Sequence, residues 1–533
     1  MRAVVKSLLG VLLALLLACV LPVSPARAAS GYVLTASYGS GLTTTDTALT
    51  LRITYRHDGA KVKKATALLQ YQLDDKTWVT EKTVKVRAGK GSTTVKHSLM
   101  TRHYRFVVEG KATSAESDVR FLPSGFTIAG SGFGHGVGLS QWGAYEQSRR
   151  GWSADQILGY YYQGTTVGTA NDNPRTVKVQ VLGPPTDSRR TTSLKVTAGG
   201  FTVSGDGTVL ASYATPGTVS IGVSGSKVTA KVTLANGKVK KRVLKKSGRL
   251  TLTWTKGPVA VAGAQGSYQA GNLQVTVIGG RPNVVNQVAM NTDYLYGIDE
   301  MPSSWGTVAA GGAQALKAQV IAARTYVITT ILKLPAAQQD QNAGAPNCDC
   351  HVYDDPRSQN YVGAKKSVGT ANQPWVDAVD ATIRPNAAMP DGKEVDVVRD
   401  ADHGFAETPF FASSGSFTLD GTLYSGTTGN SLAWGTSPLG YLVHVDDPYS
   451  ASAPGNPYVS WTRSLSQAKA QRLFGTTQLI TSIDVTARYP GGLVQTLTAT
   501  TSDGARSDLT TRTDAWRGQL GVPGAWVSQF TAR

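Results

Sequence analysis

One glutamate stands where an acid catalyst would need it. Glu300 lies in the turn Gly297-Ile298-Asp299-Glu300-Met301-Pro302-Ser303-Ser304, directly ahead of a segment in which Leu316, Val320, Ala323, Val327 and Ile331 recur at helical spacing. Gln314, Lys317 and Gln319 fall off that apolar face. The spacing predicts a helix anchored along one side, and so a carboxylate presented on rigid support, as a general acid requires. By itself a glutamate before Met-Pro is most often a solvated turn residue. Glu407 and Asp446 are rival carboxylates, but no second acid forms an obvious pair with Glu300.

Two further clusters could do chemistry. His135 sits at the centre of a run with glycine at 130, 132, 134, 136 and 138. Glycine at alternate places lets the backbone pass close to a ligand or to another segment. No Lys-Ser/Thr follows at phosphate-loop spacing, which excludes that motif. Asn347-Cys348-Asp349-Cys350-His351 admits three readings. One is a Cys-x-Cys disulfide, which needs the Cα atoms about 4.4–6.8 Å apart. Another is a metal site of two thiolates and a histidine. The third is a pair of loop thiols. Ser413 or Ser414 with His403 or His444 is composition only, because no G-x-S-x-G elbow accompanies them.

The elements that must hold these groups are read from period and turn signals. Before residue 123, strands are expected at 32–38, 48–55, 65–73, 80–86, 93–98 and 103–109, with clear alternation in Leu49, Leu51, Ile53 and Tyr55. Short strands at this spacing suggest an immunoglobulin-like β-sandwich over 29–122. A strand at 126–129 leads into the glycine run, and helices are expected at 140–147 and 153–160. Residues 173–290 alternate again: strands at 176–182, 193–197, 208–213, 226–234, 249–255 and 273–277, either part of the main domain or an insertion in it. A further strand is expected at 483–488. The fold class is α+β, mostly β with a few helices.

The chain has 533 residues, 41% hydrophobic, enough for several cores, with a net charge of +18. Such a balance calls for an anionic partner. Basic residues gather at Arg56, His57, Lys61, Lys63, Lys64, Lys82, Lys85, Arg87, Lys90 and Lys96, and again at Lys238, Lys240, Lys241, Arg242, Lys245 and Lys246. Arg2 and Lys6, the apolar run 8–20 and Ala26-Arg27-Ala28 read as a signal peptide over 1–28, so the mature chain is expected outside the membrane. Lipoprotein processing at Cys19 is disfavoured because the apolar run continues past it. No later segment is apolar and long enough to span a membrane. Nucleic acid then gives way to wall polymers and anionic lipids as the expected polyanions.

Two blocks resemble a known family. Tyr294-Leu295-Tyr296-Gly297, Glu300-Met301-Pro302, Trp305, and Gln314-Ala315-Leu316-Lys317-Ala318-Gln319 followed by Ala322-Ala323-Arg324-Thr325-Tyr326 are similar to the signature of the stage II sporulation protein D (SpoIID) / LytB amidase-enhancer family. Gly132-Phe133-Gly134-His135-Gly136-Val137-Gly138-Leu139-Ser140-Gln141-Trp142-Gly143 resembles its second block, here placed before the first. Gln314 stands where the family often has Glu, and the turn before Glu300 is short. The resemblance covers about residues 126–533, which puts a SpoIID/LytB-like groove-containing domain at 123–450 and its closing β unit at 451–533.

The resemblance implies both blocks lining one groove. His135 and Gln141 would face Glu300 and a sugar, with Trp305, Arg324, Ser413, Ser414 and Thr418 as further substrate-binding candidates. It implies zinc at Cys348, Cys350 and His351 as one reading of that run. It implies a secreted, wall-associated protein that acts on peptidoglycan glycan strands. One activity in the family is lytic transglycosylation, which cuts between N-acetylmuramic acid and N-acetylglucosamine and leaves 1,6-anhydro ends. That needs one acid rather than the usual pair, and Glu300 would have to be protonated near neutral pH. The alternative the family offers is a non-catalytic amidase enhancer that holds glycan, with anionic wall polymer or a wall amidase as its partner.

Overall fold

The computed structural model describes residues 31–171, 176–235, 242–340, 343–389, 392–427, 433 and 438–533. The expected signal peptide with Cys19, the Asn236-Gly237 turn, and Lys238, Lys240 and Lys241 of the second basic patch lie outside them. The architecture is mostly β with a few helices.

Alternation shapes the first module. Along β3 (Leu49–His57), Leu51, Ile53 and Tyr55 are buried while Arg52, Thr54 and Arg56 are exposed. β3 lies between β1 (Tyr32–Ser37) and β6 (Lys90–Val95). A second group runs in the order β5 (Trp78–Arg87), β4 (Lys64–Gln72), β7 (Met100–Val108), β8 (Ser117–Leu122), β2 (Leu42–Thr44). The two groups join at the β5–β6 hairpin through the pair Arg87↔Lys90. They share one core, where Leu51 and Ile53 meet Leu69, Val84, Tyr104 and Phe106. Two strand groups on one core is a sandwich arrangement. Strand order alone does not assign it to the immunoglobulin class.

The second unit is closed by distant strands. β9 (Gly125–Ser131) pairs antiparallel with Trp461–Ser466 on one side and Trp526–Ala532 on the other. The eleven-stranded sheet of the middle region includes β10 (Thr176–Leu182) and β11 (Arg281–Ala289), which pair antiparallel. β10 also pairs parallel with Val352–Tyr353, and β11 runs straight into the Tyr294 motif. The middle region is thus hydrogen-bonded into the site-bearing segment on both sides.

Three helices complete the frame. α1 (Gln141–Arg149) starts at Ser140, whose hydroxyl accepts the Gly143 N–H at 3.3 Å. α2 (Ala154–Tyr161) starts with a capping box between Ser153 and Gln156. α3 (Ala313–Leu332) departs from the single-face expectation. Gln319, Arg324 and Thr325 are as buried as Leu316, Val320 and Val327. Helices α1 and α2, the helix Gln373–Asp380 and the strand Lys393–Arg399 all pack on it, so α3 is a central helix enclosed on most sides. No helix among the described residues is long and apolar enough to cross a membrane.

Candidate active site

Glu300 ends a path that starts on the sheet. β11 gives way to a π-helical turn, Met290–Tyr294, a form frequent at functional sites. Leu295, Ile298 and Met301 are buried beneath the following turn, and the Trp375 indole N–H donates to the Leu295 carbonyl at 2.9 Å. A loop after Val352–Tyr353 then clamps the turn. Asp299 N–H donates to the Asn360 carbonyl at 2.8 Å, and Asn360 Nδ2 donates back to the Asp299 carbonyl at 2.8 Å. Next to this reciprocal pair the Asn360 N–H donates to Glu300 Oε1 at 2.7 Å. Lys366 Nζ is fixed between Asp299 Oδ1 at 2.8 Å and the Met301 carbonyl at 2.6 Å.

Gln141, first residue of α1, lies against the Glu300 carboxyl, and its Nε2 donates to Gln319 Oε1 of α3 at 3.3 Å. α1 and the 353–361 loop therefore meet at one carboxylate, with α3 behind Gln141. Burial pushes Glu300 above its usual range. The Asn360 N–H and Gln141 favour the charged form, Asp299 opposes it, and Lys366 favours it. Tyr294 and Tyr326 also feel the carboxylate, although burial is the main cause of their raised hydroxyl pKa values. A half-buried carboxyl with fixed donors and a raised pKa can hold a proton and give it up at one place.

The other expected residues separate into groups. His135 is turned toward the closing unit: its Nδ1 accepts the Val137 N–H at 3.2 Å, its ring lies 5.5 Å from Phe411, and its carbonyl accepts from Thr513 Oγ1 at 2.9 Å. Burial, then Arg517, pushes its pKa down to about 3, so the ring is neutral near pH 7. The glycine run packs on protein. Gly138 has φ +78°, and a Cβ there would lie 2.0 Å from the Pro409 carbonyl oxygen.

Several substrate-binding expectations are corrected by burial. Arg324 is fully buried, donating from Nε to Asn291 Oδ1 at 2.9 Å, from Nη1 to the Asp396 carbonyl at 2.9 Å and from Nη2 to Thr382 Oγ1 at 2.7 Å. It ties α3 to its surroundings and has no face for a sugar. Trp305 stacks on Tyr145 at 4.3 Å and meets Trp142 edge-on at 4.6 Å, so its ring serves the α1 contact. Ser413 and Ser414 are buried: Ser413 Oγ bonds Ser450 Oγ at 3.0 Å, and Ser414 Oγ donates to Asp447 Oδ2. Thr418 is exposed on the hairpin 416–425.

The cysteine run also resolves. Cys348 and Cys350 form a disulfide, with Cα atoms 5.1 Å apart. His351 Nδ1 accepts the Lys178 N–H at 3.2 Å and its Nε2 lies 3.3 Å from the Asp340 carbonyl. The zinc reading is corrected because the thiolates it needs are bonded to each other. No group of three or more metal-ligating side chains occurs among the described residues.

Three polar residues escaped sequence reasoning. Asn360 gives Glu300 its backbone donor, and nothing around it in the sequence marks it. Asp447 is 1% exposed, whereas the rival Asp446 is exposed. Asp447 caps the short helix Pro448–Ser452, accepting the Ser450 N–H at 3.2 Å beside Ser414, Ser140 and Tyr161, and burial raises its pKa. An Asp directly before Pro is the signal that could have found it. Asp354 is pushed up to about 7 by burial and by Asp355, and lines a cavity of about 240 Å³ with Gln180, Gln265 and Arg357. The other rival, Glu407, pairs with Lys333 Nζ at 2.7 Å.

Comparison with known proteins adds three findings. Residues 279–384 match the family described as SpoIID, Stage II sporulation protein, so the motif resemblance holds over the segment that carries Glu300. The chain is 49% identical over 45 residues to Stage II sporulation protein D of Bacillus subtilis (strain 168), a match covering 8% of this chain and 13% of the relative. It is 33% identical over 106 residues to an Amidase enhancer of the same organism, covering 20% of this chain and 12% of that protein. The matches thus span about an eighth of these relatives' lengths.

Proposed function

We propose that this chain acts on peptidoglycan glycan strands as a lytic transglycosylase, with Glu300 as both acid and base. The observation that carries this is the Glu300 carboxyl itself: half-buried, raised in pKa, and held by the Asn360 N–H and Gln141. Asp299, the adjacent acid, is committed to Lys366. A single acid suits a reaction in which the substrate supplies its own nucleophile. Glu300 gives its proton to the oxygen leaving C1 of N-acetylmuramic acid, and the C1–O bond breaks. The 6-hydroxyl oxygen of the same sugar bonds to C1, and its proton passes to the Glu300 carboxylate. The acid is restored, no water is consumed, and a 1,6-anhydro end remains. Gln141 and the Asn360 N–H orient the carboxyl through both steps.

The test is digestion of purified glycan strands, with and without stem peptides, by the chain and its Glu300→Gln variant, read by mass spectrometry. Loss of a general acid lowers rates about 10²–10⁴-fold. Anhydro ends from the unmodified chain alone support the assignment. The likeness to an Amidase enhancer favours a second reading, in which the same site holds glycan without cutting it. Binding without anhydro ends on either substrate would establish that reading and remove the first.

A further inference from the structure

The inner face of β3 does not end where the core ends. Leu51, Ile53 and Tyr55 are buried on it, and the next residue in the alternation, His57, emerges exposed. β1 pairs Tyr32 directly with His57. Tyr32 stacks on His57 at 4.0 Å with the rings 25° apart, and on Tyr55 at 5.7 Å with the rings 15° apart. Three rings therefore form a row from the core edge to solvent. They line an open groove of about 460 Å³, within the range of small-ligand sites.

Charge surrounds this row. Lys61, Lys64 and Lys111 line the same groove and are exposed. Lys111 Nζ lies 4.9 Å from the centre of the Tyr32 ring. The acid beside them is Asp58, 3.5 Å from His57 Nε2 and largely in solvent. The floor carries an independent sign of a missing partner. Tyr55 is 1% exposed, lines the groove, and its hydroxyl has no hydrogen-bond partner among the described residues. A buried hydroxyl without a partner is costly, and a ligand hydroxyl or oxyanion reaching beneath Tyr32 would relieve it.

We propose that this groove binds a sugar unit bearing an anionic group. Its ring lies on Tyr32 and His57, its carboxylate or phosphate meets the lysines, and one of its oxygens reaches Tyr55. Stacking selects a ring over a linear polyol, and the lysines select charged over neutral sugars. The site is separate from Glu300 and stands whether or not that residue cuts glycan.

The test uses the full chain carrying Glu300→Gln, so that ligand stays whole, alone and with Tyr32→Ala or with Lys61→Ala and Lys111→Ala together. Calorimetry follows binding of three probes: glycan strands stripped of stem peptides, which are cyclic and carry carboxylates; chitotetraose, cyclic and neutral; and poly(glycerol phosphate), anionic without rings. The three substituted residues are partly or fully exposed, and matched thermal melts confirm folding. Stripped strands should bind about tenfold more weakly after either change, equivalent to roughly 1.4 kcal/mol. The lysine variant should also lose most of its salt dependence. Unchanged affinity in both variants would overturn the proposal. So would chitotetraose binding as well as the strands, or poly(glycerol phosphate) binding as well as the strands and ignoring Tyr32→Ala. Anhydro ends made by the unmodified chain are read separately, so either idea can fail alone.

Discussion

Replacing Arg324 with methionine removes a cation from the back of α3. The guanidinium donates hydrogen bonds of 2.7 to 2.9 Å to Asn291, the Asp396 carbonyl and Thr382. A bond from a charged donor contributes about 1.5–3 kcal/mol, but these do not add, because they share one charge. Removing the donor leaves neutral buried acceptors unpaired, at a cost of about 1–3 kcal/mol each. Methionine keeps much of the side-chain length and relieves the cation's own desolvation, which favours the lower end, about 3 kcal/mol in all. For a unit of about 400 residues, whose unfolding entropy is about 2.1 cal/mol/K per residue, that lowers the melting temperature by about 3–4 °C. Arg324→Lys should fall nearly as far, since one ammonium cannot reproduce a planar fork. Tryptophan fluorescence melts measure the shift, and glycan-strand binding at low temperature measures the site. Binding within about twofold of the parent, beside a drop of about 3–4 °C in melting temperature, is expected for a residue that acts through packing. A melt within about 1 °C of the parent together with lost binding would refute the reasoning and return Arg324 to the ligand.

Two other predictions concern groups whose roles changed. The unfolded chain takes up a proton at His135 near pH 6.5 that the folded chain refuses until about pH 3. Stability should therefore fall as pH drops through that window, and His135→Gln should flatten the fall, read from urea midpoints at pH 7, 5 and 4; parallel curves would contradict the neutral assignment. Cys348 and Cys350 close a very short loop, so reduction should cost only about 1–2 kcal/mol and chelation nothing. A melting temperature raised by added zinc under non-reducing conditions would overturn the disulfide reading.

How much the sequence revealed depended on whether local pattern and burial agree. Along β3 they do, because a strand facing one core must alternate, and Leu49, Leu51, Ile53 and Tyr55 place it within two residues. Ser140 and Ser153 likewise mark helix starts, since a hydroxyl cap is a local device. The strands Leu42–Thr44 and Ser117–Leu122 passed unnoticed because one is very short and neither alternates clearly. The reading of α3 was too narrow for a tertiary reason: with neighbours on most sides, polar Gln319 and Arg324 enter the interior by finding partners there. Around Glu300 the acid and Gln141 stood out through their motifs. Asn360 reaches Glu300 through its backbone N–H and Asp299 through its side-chain amide, and neither role leaves a local pattern in the sequence. Asp446 and Asp447 are neighbours, and only packing tells which enters the interior.

The placement of β9 also bears on how the chain comes to be folded. Its partners on the two sides, Trp461–Ser466 and Trp526–Ala532, lie several hundred residues further along the sequence. A ribosome that has released Gly125–Ser131 must add several hundred residues before that strand can be covered. Until then its edges are open to wrong pairings. The first module meets no such delay, because its core draws only on residues 34–121. During synthesis the chain would carry a finished first module ahead of a long unfinished remainder. Helpers that keep nascent protein unfolded, or proteases that survey it, would find their openings in the second part.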